Sequence, residues 1–81
     1  MTITKSYWFL RIGDDFLEDA LCFQTKLAAI HKYQRVAQEL ARYGQKIEAS
    51  LHRAANRGAL EEYPDCMLSL GARGGVKVEA C

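Results

Sequence analysis

The chain has almost no net charge, few cysteines, a single proline and no long apolar run, and each shortage removes a class of function. Eleven Lys and Arg stand against ten Asp and Glu, a formal charge of +1. That balance argues against a strongly basic nucleic-acid binder and equally against an acidic DNA mimic. Nothing approaches the ~20 apolar residues of a membrane helix. The opening MTITKSYWFLRIGDD holds only the short run Trp8-Phe9-Leu10 and has no small-residue cleavage site, so no export signal is read. The three cysteines, Cys22, Cys66 and Cys81, are odd in number and lack CxxC spacing. Small secreted domains carry dense, even sets, so the expected compartment is a reducing cytoplasm. Cys22 and Cys66 lie in apolar segments and read as small buried hydrophobes. Cys81, the last residue, reads as oxidisable and a source of artefactual dimers.

What is present is an ordinary globular composition, 49% hydrophobic and 26% charged, in 81 residues. Residues 1–81 are read as a single domain with one core, and a chain this short buries only about 60% of its unfolded surface. Ile3 to Ile12 is rich in β-branched and aromatic residues and reads as a strand, with Trp8, Leu10 and Ile12 on one face and Tyr7, Phe9 and Arg11 on the other. Gly13-Asp14-Asp15 is a turn. Phe16 to Phe23 fits either a short helix opened by an Asp15–Glu18 capping box or a second strand, the strand being favoured over Ala20 to Phe23. Thr25 to Tyr43 is an amphipathic helix with Thr25 as N-cap and Gly44 as its stop. Its apolar arc is Leu27, Ile30, Tyr33, Val36, Ala37, Leu40 and Ala41. Ile47 to His52 alternates as a strand burying Ile47, Ala49 and Leu51. A polar connection follows to Asp65, with a helical turn expected within Ala59 to Tyr63. Cys66 to Leu70 and Val76 to Ala80 are a final hairpin across a glycine-rich loop. The fold class is α+β: one helix on an antiparallel sheet of four or five strands, in the order β(β)αβββ.

Constellations that carry chemistry are scarce. The loop Gly71 to Gly75 precedes a strand and lacks a following Lys-Ser/Thr, so it reads as a turn and not a phosphate cradle. The cysteines with His31 and His52 include no closely spaced ligand pair, so no metal site is expected. Ser6, Ser50 and Ser69 lie in no nucleophile elbow, and His52, although it could pair with a serine, reads as a solvated surface histidine. The acidic pairs Asp14-Asp15, Glu18-Asp19 and Glu61-Glu62 read as solvated turns. The expectation is a protein that is not an enzyme and takes no cofactor.

Two surfaces are candidates for binding. The outer helix face carries His31, Lys32, Arg35 and Arg42, opposed chiefly by Glu39, a stripe suited to phosphates or an acidic protein surface. Acidic residues are segregated elsewhere, in Asp14 to Asp19 and Glu61 to Asp65. The second surface is the sheet face bearing Tyr7, Phe9 and Arg11, aromatics beside a cation, suited to docking or to homodimerisation.

Tyr43-Gly44-Gln45 with Ile47 to His52, and Glu62-Tyr63-Pro64-Asp65 through Leu68-Ser69-Leu70-Gly71 to Arg73-Gly74-Gly75-Val76, resemble small proteins carried on phages and other mobile elements of proteobacteria. The resemblance covers the C-terminal half and brings no active residues with it. It implies an inhibitor of host defence of the anti-CRISPR kind, docking on a Cas effector complex and blocking target DNA binding or nuclease recruitment. On that implication the docking residues are Tyr7, Phe9, Arg11, His31, Lys32, Arg35 and Arg42. The alternatives are a small nucleic-acid-binding accessory protein using the helix face, or a homodimeric structural module. Monomer and homodimer both remain open, and no membrane contact is expected.

Overall fold

A computed structural model describes residues 6–80 of the chain. One helix, α1 (Lys26–Ala41), lies on a five-stranded antiparallel sheet. The strands are β1 (Tyr7–Ile12), β2 (Leu21–Phe23), β3 (Ala49–Ala54), β4 (Cys66–Leu70) and β5 (Val76–Glu79), in the spatial order β2-β1-β3-β4-β5. This is the α+β fold and the strand order along the chain that the hydrophobic pattern predicts. Ile3 to Lys5 of the expected first strand lie outside the described residues.

The apolar core lies between α1 and the sheet. Leu10, Leu51, Cys66 and Leu68 from the strands close on Ala29, Tyr33 and Ala37 of the helix, all fully or almost fully buried. The ladder sets Leu10 against Leu51 and Leu51 against Cys66, so side chains of one pleat face stack under the helix. Small Ala29 and Ala37 let the helix approach closely, while Tyr33 fills the space between them. Its hydroxyl donates to the Ile47 carbonyl at 2.6 Å. Burial, and secondarily the nearby Glu48 charge, push the Tyr33 phenol above its ordinary pKa.

Both helix ends form as their residues dictate. Thr25 Oγ1 accepts from the Ala28 N–H at 3.1 Å, an N-cap. At the other end Gly44 has a positive φ of 76°. Its N–H donates to the Ala41 carbonyl and that of Gln45 to the Leu40 carbonyl, the paired bonds of a Schellman motif. The β4–β5 loop turns in the same economical way, with Gly74 at φ 85° and its N–H on the Gly71 carbonyl. Gln34 and Gln38 of α1 both donate to the Gly74 carbonyl and tie this loop to the helix.

Several expectations are corrected. The helix is rotated from the predicted arc: Ala29 is buried, whereas Leu27 is 61% exposed and Ala41 is exposed. At 100° per residue Leu27 lies 120° around the helix from Tyr33, the centre of the buried face. The segment after Gly13 holds both alternatives in sequence, a 3₁₀ turn at Leu17–Asp19 and then β2. Its N-cap is Phe16 with no side-chain cap bond, so the Asp15–Glu18 capping box does not form. β3 begins two residues later than predicted, and Ile47 is half-buried beside the core. The helical turn of the long connection falls at Arg57–Ala59, capped by Asn56 Oδ1 on the Ala59 N–H. Cys22 is exposed and free, because β2 is an edge strand and its side chain points away from the helix. Cys66 is buried as predicted, but it is disulfide-bonded, a state that oxidising compartments sustain.

Candidate functional site

The two predicted surfaces fare differently. On α1, His31, Lys32, Arg35 and Arg42 are all exposed. Spacings of three and four residues align Lys32, Arg35, Glu39 and Arg42 along one side of the helix over roughly 15 Å. Glu39 bridges to Arg42 at 3.6 Å, leaving the rest of the stripe to solvent. Near the helix start, Lys26 and Arg53 each sit 5.7 Å from the centroid of the Trp8 ring, extending positive charge along the same side of the sheet.

The second sheet face is not the open aromatic platform expected. Phe9 is 2% exposed, enclosed by Ala20, Ala54, Leu60 and half-buried Tyr7. The Arg57 guanidinium lies 5.3 Å from the Phe9 centroid and donates to the carbonyls of Glu18 and Ala20, clamping both covering segments over the ring. Arg11 is half-buried, and its Nη1 meets Glu62 at 3.5 Å. Its Nε is buried without a hydrogen-bond partner among the described residues. Phe9 therefore leaves the set of accessible docking residues. Sequence alternation gave its face correctly, but segments 13–20 and 55–65 fold back over that face.

Beneath this cover lies a polar pair. Ser50 and His52, 6% and 2% exposed, stand two apart on β3, directly across from Arg11 and Phe9 of β1. Ser50 Oγ is 2.8 Å from His52 Nε2, and His52 Nδ1 is 2.9 Å from the Glu61 carbonyl. A carbonyl only accepts, so Nδ1 carries the proton and Ser50 donates to the bare Nε2. Burial lowers the His52 pKa, the Glu61 hydrogen bond opposes this, and the Arg11 charge adds to the lowering. The imidazole is thus held neutral at pH 7. A polarised serine resembles half of a nucleophilic site, but β3 is paired on both sides at Ser50, by Arg11 and Met67. The neighbouring amides are committed to the ladder and not aimed at a reacting oxygen. The Nδ1 bond to Glu61 fastens the 55–65 connection to the sheet.

Sequence reasoning placed His52 in solvent and did not join it to Ser50. Period-two spacing did put both on one face; the cover that buries them was not visible in any local pattern. Among the described residues no group of three or more His, Cys, Asp or Glu is placed to hold a metal ion. No helix there is long and apolar enough to cross a membrane.

Charge is divided between the two sides. From residue 26 to 42 the chain has four Lys and Arg against one carboxylate. Segments 13–20 and 55–65, over the opposite face, have seven carboxylates against Arg57 alone. No family model matches the chain. No curated protein and no solved structure matches it either.

Proposed function

We propose that this chain is a non-enzymatic binding protein that engages an acidic or phosphate-bearing partner through the outer face of α1. The observation that carries the reading is the segregation of charge: a nearly neutral chain presents exposed His31, Lys32, Arg35 and Arg42 on one side and seven of its ten carboxylates in the segments over the other. Such an arrangement orients a partner and rejects approach from the wrong side. In its specific form the proposal is an anti-CRISPR-type inhibitor seated by α1 on an RNA-guided Cas complex. The acidic segments would then face outward and repel incoming DNA. That form also rests on the resemblance to mobile-element proteins. The same proposal puts the protein in the host cytoplasm, where reductants would open the Cys66 disulfide. The docking surface lies on a different element.

The test is a pull-down of the tagged chain from nuclease-treated host extract, run beside Arg35→Glu/Arg42→Glu. Recovery of Cas subunits by the parent and a loss of at least tenfold in the variant, with an unchanged circular dichroism spectrum, is the expected result. Equal recovery by both removes α1 as the docking surface. A second reading, a nucleic-acid accessory protein, is favoured by the Lys26–Trp8–Arg53 group at the helix start. It requires retention on RNA or DNA that falls steeply with salt and vanishes with nuclease.

A further inference from the structure

β5 is one of the two outer strands of the sheet and, among the described residues, pairs with β4 alone. We propose that it pairs antiparallel with β5 of a second copy of this chain, across a two-fold axis through Val78. Hydrogen-bonding direction gives the first argument. The Gly71 N–H donates to the Gly75 carbonyl at 2.7 Å, and antiparallel pairs alternate along a ladder between bonded and non-bonded. Ser69–Lys77 and Met67–Glu79 are then bonded pairs, while Leu70–Val76 and Leu68–Val78 are not. Val76 and Val78 accordingly turn their N–H and C=O groups outward, where a second strand can take them. A two-fold through Val78 lets the two copies of that residue exchange both bonds.

Charge supplies the second argument. Lys77 and Glu79 share one face of β5, 3.0 Å apart, each more than half exposed. The axis through Val78 sets Lys77 opposite the partner's Glu79, and Glu79 opposite the partner's Lys77. Opposite charges facing across strands stabilise a pair, and like charges destabilise it. An axis through Lys77 would bond Val76 to the partner's Val78, but it opposes lysine to lysine. On the helix side Val78, 38% exposed, meets its own copy. The edge is self-complementary, as an isologous contact must be.

The axis stands perpendicular to the sheet, so the dimer is a continuous ten-stranded sheet with both copies of α1 on the same side. A four-residue strand buries little area, so association is weak and depends on concentration. The surface is separate from the outer face of α1, and either proposal can fail alone.

Sedimentation equilibrium over a concentration series tests it, under the same buffer for every variant and in a Cys22→Ser background that removes the exposed thiol of β2. The expected result is a weight-average mass rising from 9.1 kDa toward twice that value. Lys77→Glu and Glu79→Lys should each stay at the monomer mass, and the double exchange Lys77→Glu/Glu79→Lys should associate again. Val78→Pro loses an N–H that points away from β4, so it should fold and remain monomeric, and it keeps the test sound if a charge variant fails to fold. A parent chain that stays monomeric throughout overturns the proposal, as does a folded single charge variant that associates like the parent.

Discussion

The two faces of one sheet are finished by different physics. Under α1, buried side chains of β1, β3 and β4 meet a helix at regular spacing, and the Tyr33 hydroxyl within the cluster has its acceptor in Ile47. On the other face the cover is irregular chain, held by polar side chains that reach backbone carbonyls: His52 to Glu61, and Arg57 to Glu18 and Ala20. The apolar cluster there is small, Phe9, Ala20 and Ala54 with Tyr7 and Leu60 around them. Burial by a regular element needs only periodicity. Burial by a loop needs specific donors and acceptors, because its backbone groups have no ladder to satisfy them.

The comparison breaks most visibly at Leu51. Leu51→Ala leaves a cavity under the helix and should cost about 3 kcal/mol, read as a lowered urea midpoint of the whole domain. On the polar face, His52→Ala removes the acceptor of the Ser50 hydroxyl and the donor to the Glu61 carbonyl. Its cost should be about 2 kcal/mol. Hydrogen exchange should show amides of 55–65 opening well before those of α1, and uniform loss of protection in both regions would mean that the faces are one cooperative unit.

The smallest expected effect is one of pH. Burial first, and Arg11 after it, lower the His52 pKa against the pull of the Glu61 bond. The native state therefore resists a proton that the unfolded chain accepts near its ordinary value of about 6.5. Above that pH both states are neutral and the stability is complete. As the pH falls through about 6.5 toward the lower native value, the unfolded state gains the proton first and stability declines. Urea midpoints between about pH 7.5 and 5 should fall for the parent chain and flatten in His52→Gln, in line with this linkage. An identical slope in both would remove His52 as the source.

Legibility followed the same division. The helix with its Thr25 cap and Gly44 stop, the hairpin at Gly71 to Gly75 and the succession of elements along the chain were readable because each rests on local propensity and period. The fine rotation of α1 was not, since it is set by how Ala29, Tyr33 and Ala37 pack on strand residues distant in sequence. The basic stripe was readable, being a matter of spacing on a helix. Phe9 and His52 were misplaced for one shared reason: alternation tells which face a strand residue occupies, and what covers that face is decided by segments outside the strand, 13–20 and 55–65, and by a clamp such as Arg57. Cys22 failed in the other direction, an apolar context on a strand too short to be enclosed.

The division of charge has a consequence for motion before contact. A molecule whose formal charge is +1 feels little net pull from a charged surface, yet opposite signs on its two sides give it a permanent electric dipole. In a field it turns before it drifts. Close to a polyanion, within the Debye length of about 8 Å at physiological salt, the torque brings α1 to the front and swings residues 13–20 and 55–65 behind. Encounters therefore begin pre-aligned at low ionic strength and become random in orientation as salt rises.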